Sequence, residues 1–263
     1  MVIARHRPSP LPVCVVVLPL NTLCSTHPLF LIPQVCFQYI QYILTNSFRR
    51  PACQSLVSGA LNTTLTASGV ADILDYDFIS FGNAYYLQED CPGYPSYDRS
   101  DGVACWQTKC GVTNPPDECW TGDLVCQHGA DECELNAIET CAKSIAGEEF
   151  VKYSEFNYCV EGMFPPSEAE VEGCASKALL DMDAINSCVV DSSQLASLQK
   201  DEGYKTAQAM IPGTPTVVLN GEAMSNTNLL LRQVCAAFKD ANPGEMVPAG
   251  CPAKFGNLRA VSQ

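Results

Sequence analysis

The sequence predicts an α/β domain cross-linked by disulfides. Three observations carry that expectation. Sixteen cysteines stand in 263 residues, the order after residue 51 reads helix–strand, and the same chain later gives strand–turn–helix with a helical stretch between. So many thiols would be a liability in a reducing cytosol, whereas an oxidising compartment turns them into cross-links. Zinc is the other use of many cysteines. No pair of CxxC knuckles is present, and of the three His, His6 and His27 lie in the N-terminal stretch. No metal site is therefore expected.

Each element has a local signal. From Cys53 to Ser68, Val57, Leu61 and Leu65 recur at helical spacing and Gly69 closes the run, which predicts an amphipathic helix. Ile73 to Phe81 is rich in β-branched and aromatic residues and reads as a strand. Residues 85–125 read as loop, with Cys-Pro-Gly, Asn-Pro-Pro and several Asp. Helical periodicity returns in pieces from about 131 to 209. Pro215 to Asn220 reads as a strand ended by the Asn220-Gly221 turn. Thr227 to Lys239 reads as a last helix, with Leu230, Val234 and Phe238 on one face.

The chain changes character at residue 50. Residues 1–49 and Arg50 contain no Asp, Glu or Gly, so all 29 acidic residues and all 17 glycines lie in 51–263. Two readings of 1–49 stand. In one, Arg5, His6 and Arg7 open a signal peptide whose apolar core is Leu11 to Leu20, interrupted by two prolines. In the other, the segment is not native coding sequence, as a wrongly joined first exon would produce. No uninterrupted apolar run is long enough for a bilayer span, so stable membrane insertion is not expected. The formal net charge of −14 argues against nucleic acid, whose phosphates require clustered Lys and Arg.

One segment carries the chemistry. Residues 126–141 read CQHGADECELNAIETC, and eight of its positions, Cys126, Gln127, His128, Gly129, Glu132, Cys133, Asn136 and Cys141, meet the pattern CQHG-x2-EC-x2-N-x4-C. Cys133 and Cys141 lie eight apart on one predicted helix, too far to bond to each other, so each must staple that helix to something else. His128 is open to two readings, a hydrogen-bonded loop histidine or a proton donor and acceptor in an acidic compartment.

The signature resembles that of the gamma-interferon-inducible lysosomal thiol reductases, the GILT family. The resemblance extends from Pro51 to Cys251, about 200 of the 263 residues. It includes Phe81-Gly82-Asn83-Ala84, Trp120 just before the signature, Cys159, Cys174, Cys188, Cys235 and Cys251 in order, and Thr214-Pro215 before TVVLNG. It implies a thioredoxin-like fold with a helical insertion over 51–255, in which Thr214-Pro215 is a cis-proline turn lining the substrate groove. The segment of about 85–125 is then an additional Cys-rich insertion. Cys91, Cys105, Cys110 and Cys119 within it point to two local disulfides.

The resemblance also implies a reductase of protein disulfides, needing no cofactor, in the secretory pathway, lysosomal or extracellular. Such chemistry needs two thiols three apart at a helix start, the first attacking and the second resolving. Here that place reads Arg50-Pro51-Ala52-Cys53. By register Cys53 is the resolving cysteine and Arg50 stands where the nucleophile is missing. Arg is not a nucleophile, and Cys14, Cys24 and Cys36 lie too far back to restore the motif. Setting Cys53 aside leaves twelve of the thirteen cysteines in 51–263 for structural pairs, with connectivity open. The rival readings are a secreted, non-catalytic, disulfide-scaffolded binding protein and a monothiol enzyme using Cys53. Asn62-Thr63-Thr64 is an N-glycosylation sequon. The oligomeric state is not legible.

Overall fold

The computed structural model describes residues 40–41, 51–91, 102–163, 166–209 and 213–254. The compositional break, Arg50, Cys14, Cys24, Cys36 and both readings of 1–49 lie outside the described residues, apart from one pair. Ile40–Gln41 forms strand β1, which pairs in parallel with β2 (Tyr76–Asp77). The N-terminal segment therefore contributes a strand that precedes the helix carrying Cys53 in the chain.

Between those strands runs a helix in three parts. Helix α1 is Pro51–Leu56, a π-turn spans Val57–Leu61, and α2 is Asn62–Thr66. Pro51 suits a helix start because the first helical N–H groups have no intrahelical acceptor. The π-turn alters the expected face. A wider turn advances the register, so Thr64 reaches the fully buried position expected of Leu65, which is only half-buried. The Thr64 hydroxyl is satisfied by donating to the Ala60 carbonyl at 2.7 Å. Gly69 ends the run with φ +73°, a conformation glycine adopts without steric cost.

The expected strand at 73–81 is hydrogen-bonded as a strand only at β2. The residues after it are held instead by side chains from the helices. Lys143 donates to the Phe78 carbonyl at 2.8 Å and to Glu202 at 2.7 Å, and pairs with Asp77; Glu202 accepts the Ser80 N–H at 3.0 Å. Lys205 pairs with Asp77 at 3.1 Å and with Asp201 at 3.0 Å. The Tyr153 hydroxyl donates to the Tyr76 carbonyl. Burial of the carboxylate raises the Glu202 pKa, against the pull of Lys143. Two lysines hold the Asp77 carboxyl below its usual range even though burial opposes them.

Within the 85–125 segment, β3 (Tyr85–Tyr86) pairs antiparallel with β4 (Leu124–Val125). The loop expectation needs correction, because helix α3 fills Gly102–Cys110 and a short 3-10 turn spans Asp117–Trp120. Both ends of α3 are pinned by disulfides, Cys91–Cys105 and Cys110–Cys119. These are the two local cross-links expected there. Trp120 packs at ring separations of 6.0–6.2 Å on Phe81, Tyr86, Trp106 and Tyr204, giving this end of the molecule its own core.

The helical middle comprises α4 (Ala130–Ala146), α5 (Phe150–Glu161), α6 (Glu168–Lys177), α7 (Met182–Val190) and α8 (Ser192–Gln208). Caps set several starts. Ser167 and Glu170 form a reciprocal capping box, and the Asp181 and Asp191 side chains accept from the first turns of α7 and α8. Cys141–Cys188 ties α4 to α7, and Cys159–Cys174 ties α5 to α6. The main core gathers Val57, Leu61, Leu135, Phe156, Ile185 and Leu230.

The chain ends with β5 (Val218–Leu219), β6 (Glu222–Ala223), a 3-10 turn at Thr227–Leu229 and α9 (Leu230–Ala241). Asn220 and Gly221 both have positive φ, +52° and +84°, as the two-residue turn between β5 and β6 requires. On α9, Leu230 and Val234 are buried as expected, and Phe238 is half-buried. Strand β5 lies beside β1. The protein is a mixed, mainly helical α/β structure held by disulfides. Among the described residues no helix is long and apolar enough to cross a membrane.

Candidate functional site

The signature occupies the passage from β4 into α4. Cys126 follows the strand, and Gly129, at φ +97°, turns the chain into the helix. Cys126–Cys133 closes that turn, joining its start to the first turns of α4. Cys126 is buried and Cys133 half-buried. Cys141 lies two turns further on in its bond to Cys188. The two helix cysteines thus bond to separate partners, as their spacing requires. With Cys235–Cys251, six disulfides take up every cysteine of 51–263 except Cys53. Cys53 is fully buried in the first turn of α1.

His128 and Glu132 act as a unit. The Glu132 side chain is almost wholly buried, and one of its oxygens accepts the His128 backbone N–H at 3.0 Å and meets His128 Nδ1 at 2.5 Å. Burial raises the Glu132 pKa, while the contact with His128 pulls it the other way. The His128 side chain is 21% exposed, so it links a buried carboxylate to the surface. Asn136, one turn along α4, is also buried.

Asn83 draws three separate stretches of chain together. Its Nδ2 donates to Gln127 Oε1 at 2.8 Å and contacts Thr214 Oγ1 at 3.4 Å. Gly82, at φ +68°, turns the backbone just before it. Thr214 precedes Pro215 across a cis peptide bond, and Thr216 Oγ1 donates to the Gly213 carbonyl. The signature, the Gly-Asn-Ala element and the Thr-Pro turn, 131 residues apart at their extremes, therefore meet at one amide. The sequence marked all three but not their joint. The pairing of His128 with Glu132 was not read from the sequence; His128 precedes α4, and the turn at Gly129 brings it onto Glu132. Asn62 lies half-exposed at the start of α2, away from this cluster in sequence.

Comparison with known proteins returns the same family. A family model described as gamma interferon inducible lysosomal thiol reductase (GILT) matches residues 110–178. This chain is similar to the GILT proteins. An Arabidopsis thaliana gamma-interferon-responsive lysosomal thiol protein is 30% identical over 120 residues, 44% of this chain and 49% of the relative. A Carassius auratus gamma-interferon-inducible lysosomal thiol reductase is 29% identical over 133 residues, 46% and 49% respectively. A Drosophila melanogaster GILT-like protein 2 is 27% identical over 124 residues, 45% and 57%. The chain spans about half the length of the curated relatives it matches.

Proposed function

We propose that the chain has the architecture of a GILT-type thiol–disulfide oxidoreductase acting on disulfide-bonded proteins, with its attacking cysteine replaced by Arg50. The observation that carries this reading is the Asn83 side chain joining Gln127 to Thr214 beside the cis proline. A reductase needs a fixed ledge where an extended substrate backbone lies, and a cross-braced Thr-Pro turn is such a ledge. The strand arrangement is compatible with a thioredoxin-like sheet: β2 pairs with β1, β5 lies beside β1, and β6 pairs with β5. In that frame α1 starts after β1, and the Cys53 thiol sits in its first turn, where a resolving thiol belongs. Six disulfides support a secretory-pathway setting, lysosomal or extracellular. Asn62 is the proposed glycan acceptor. The 51–255 region is the folded domain in this reading.

The second reading is a non-catalytic, secreted binding protein that keeps the groove. It is favoured by Arg50 itself, because a buried resolving thiol does not turn over when an arginine holds the attacking position. An insulin-type disulfide reduction assay tests the placement of the nucleophile. The chain as written should be near the blank at acidic and neutral pH. Robust turnover abolished by Cys53→Ser would show that Cys53 attacks and that the register is wrong.

A further inference from the structure

The six disulfides are not equivalent. Five of them separate their cysteines by 9 to 47 residues, whereas Cys126–Cys133 closes only 7. A short loop loses little entropy when closed, so its disulfide constrains the unfolded chain least and its opening costs the fold least. The elements it joins are also held by other means. Helix α4 is stapled by Cys141–Cys188 and bridged to the β2 region through Lys143, and β4 is paired with β3. Reduction would leave both in place.

The position of this disulfide is as distinctive as its length. Its loop contains Gln127, bonded to Asn83 at the Thr-Pro turn, and His128, the one histidine among the described residues, braced by a buried carboxylate. Its two cysteines differ in burial. Cys133 is half-buried, whereas Cys126 is buried, so Cys133 is the member nearer the surface. A disulfide whose opening leaves the fold standing, with one half-buried cysteine and a histidine two residues from the other, is placed for exchange.

We propose that Cys126–Cys133 is a second redox site of this protein, opened by low-molecular-weight thiols, with His128 as its proton partner. A thiolate attacks Cys133 Sγ, forming a mixed disulfide as the Cys126–Cys133 bond breaks. Cys126 leaves with the electron pair and is protonated by way of His128. A second thiol then attacks the mixed disulfide, releasing the oxidised small-molecule disulfide and leaving Cys133 as a thiol. Two thiols are consumed and two protein thiols are made, so atoms and electrons balance. Glu132 acts as a positioning residue that fixes the His128 ring. None of these steps uses residue 50 or Cys53, so this inference and the reductase reading fail separately.

The test is native-state reduction of the full chain by graded glutathione, quenched with a maleimide and mapped by mass spectrometry. Tryptophan fluorescence reports folding in parallel. Cys126 and Cys133 should be labelled first, at glutathione concentrations that leave the other ten disulfide cysteines unlabelled and the fluorescence native. His128→Gln should slow that labelling at least tenfold at pH 5–6, the scale on which a positioned proton donor acts, about 10² or more, and leave the labelling rate of Cys91–Cys105 unchanged. If another pair opens first, or if Cys126 and Cys133 are labelled only as fluorescence is lost, the site is structural and the proposal fails. Equal labelling rates in His128→Gln and the parent would remove the assigned proton step.

Discussion

Replacing both members of a disulfide by alanine removes its constraint on the unfolded chain, and the connectivity sets the size of the effect. For Cys141–Cys188, with a separation of 47, the chain-entropy relation gives about 4 kcal/mol at 25 °C. For Cys126–Cys133, with a separation of 7, the same relation gives about 2.4 kcal/mol. The difference of about 1.7 kcal/mol follows from the logarithm of the loop ratio alone. Three of the four cysteines are buried, both members of the long-loop pair among them, so lost packing acts in the same direction as the entropy difference. For a domain of this size about 2–4 °C of melting temperature corresponds to each kcal/mol. Cys141→Ala/Cys188→Ala should therefore melt about 3–7 °C below Cys126→Ala/Cys133→Ala, read by calorimetry or circular dichroism at one pH. An equal or reversed order would refute the chain-entropy reasoning. It would also remove one support for treating the short-loop disulfide as the readiest to open.

Other parts of the structure make equally definite demands. A Cβ on Gly203 would lie 2.5 Å from the Trp120 ring and 2.9 Å from Phe81, so Gly203→Ala should destabilise by about 1–3 kcal/mol and shift the tryptophan fluorescence. An unchanged denaturation midpoint would contradict that packing. Glu202→Ala takes a buried carboxylate from half-buried Lys143 and from the Ser80 N–H and should cost about 1–3 kcal/mol in urea unfolding; a loss under about 0.5 kcal/mol would show that the network is not needed. Glu132 gives a pH signature. Its folded pKa is raised, chiefly by burial, so between the unfolded and folded values the native state binds the extra proton. Its contribution is fully present below the ordinary carboxylate range and is lost as pH rises through the folded value. Glu132→Gln should flatten this fall in stability above the ordinary carboxylate range, and a pH profile identical to the parent would contradict the assignment.

The parts of the fold legible in the sequence were those with a local cause. The Asn220-Gly221 turn follows from two residues that tolerate positive φ, α9 from the spacing of Leu230, Val234 and Phe238, and the helical middle from periodicity that marked the stretch of about 131–209 without dividing it. The two disulfides of the 85–125 segment followed from four cysteines in one insertion, and Cys133 could not bond to Cys141 on one helix. What was not legible depends on distant partners. The 73–81 stretch looks like a full strand but is hydrogen-bonded as one only at Tyr76–Asp77; side chains from α4 and α8 hold the rest. Helix α3 is short and weakly patterned, and disulfides at both ends hold it. The π-turn at Val57–Leu61 exchanged Thr64 for Leu65 in the core, a shift no periodicity announces. At the site, each of the three motifs was visible, but the role of Asn83 was not. A single amide bridging residues 83, 127 and 214 is a tertiary fact.

Residue 50 decides between the reductase and the binding protein. With β1 in place before α1, Arg50→Cys alone creates a Cys-Pro-Ala-Cys motif at a helix start. There the backbone N–H groups and helix dipole lower the pKa of the introduced thiol. The most direct measurement is turnover of insulin disulfides by this variant beside the chain as written, with Cys53→Ser added to trap intermediates. The reductase reading predicts turnover by Arg50→Cys, near-blank rates for the parent, and stable mixed disulfides through the introduced cysteine in the double variant. A correctly folded Arg50→Cys protein that neither turns over nor traps substrate would contradict it and leave the non-catalytic binding protein as the better description.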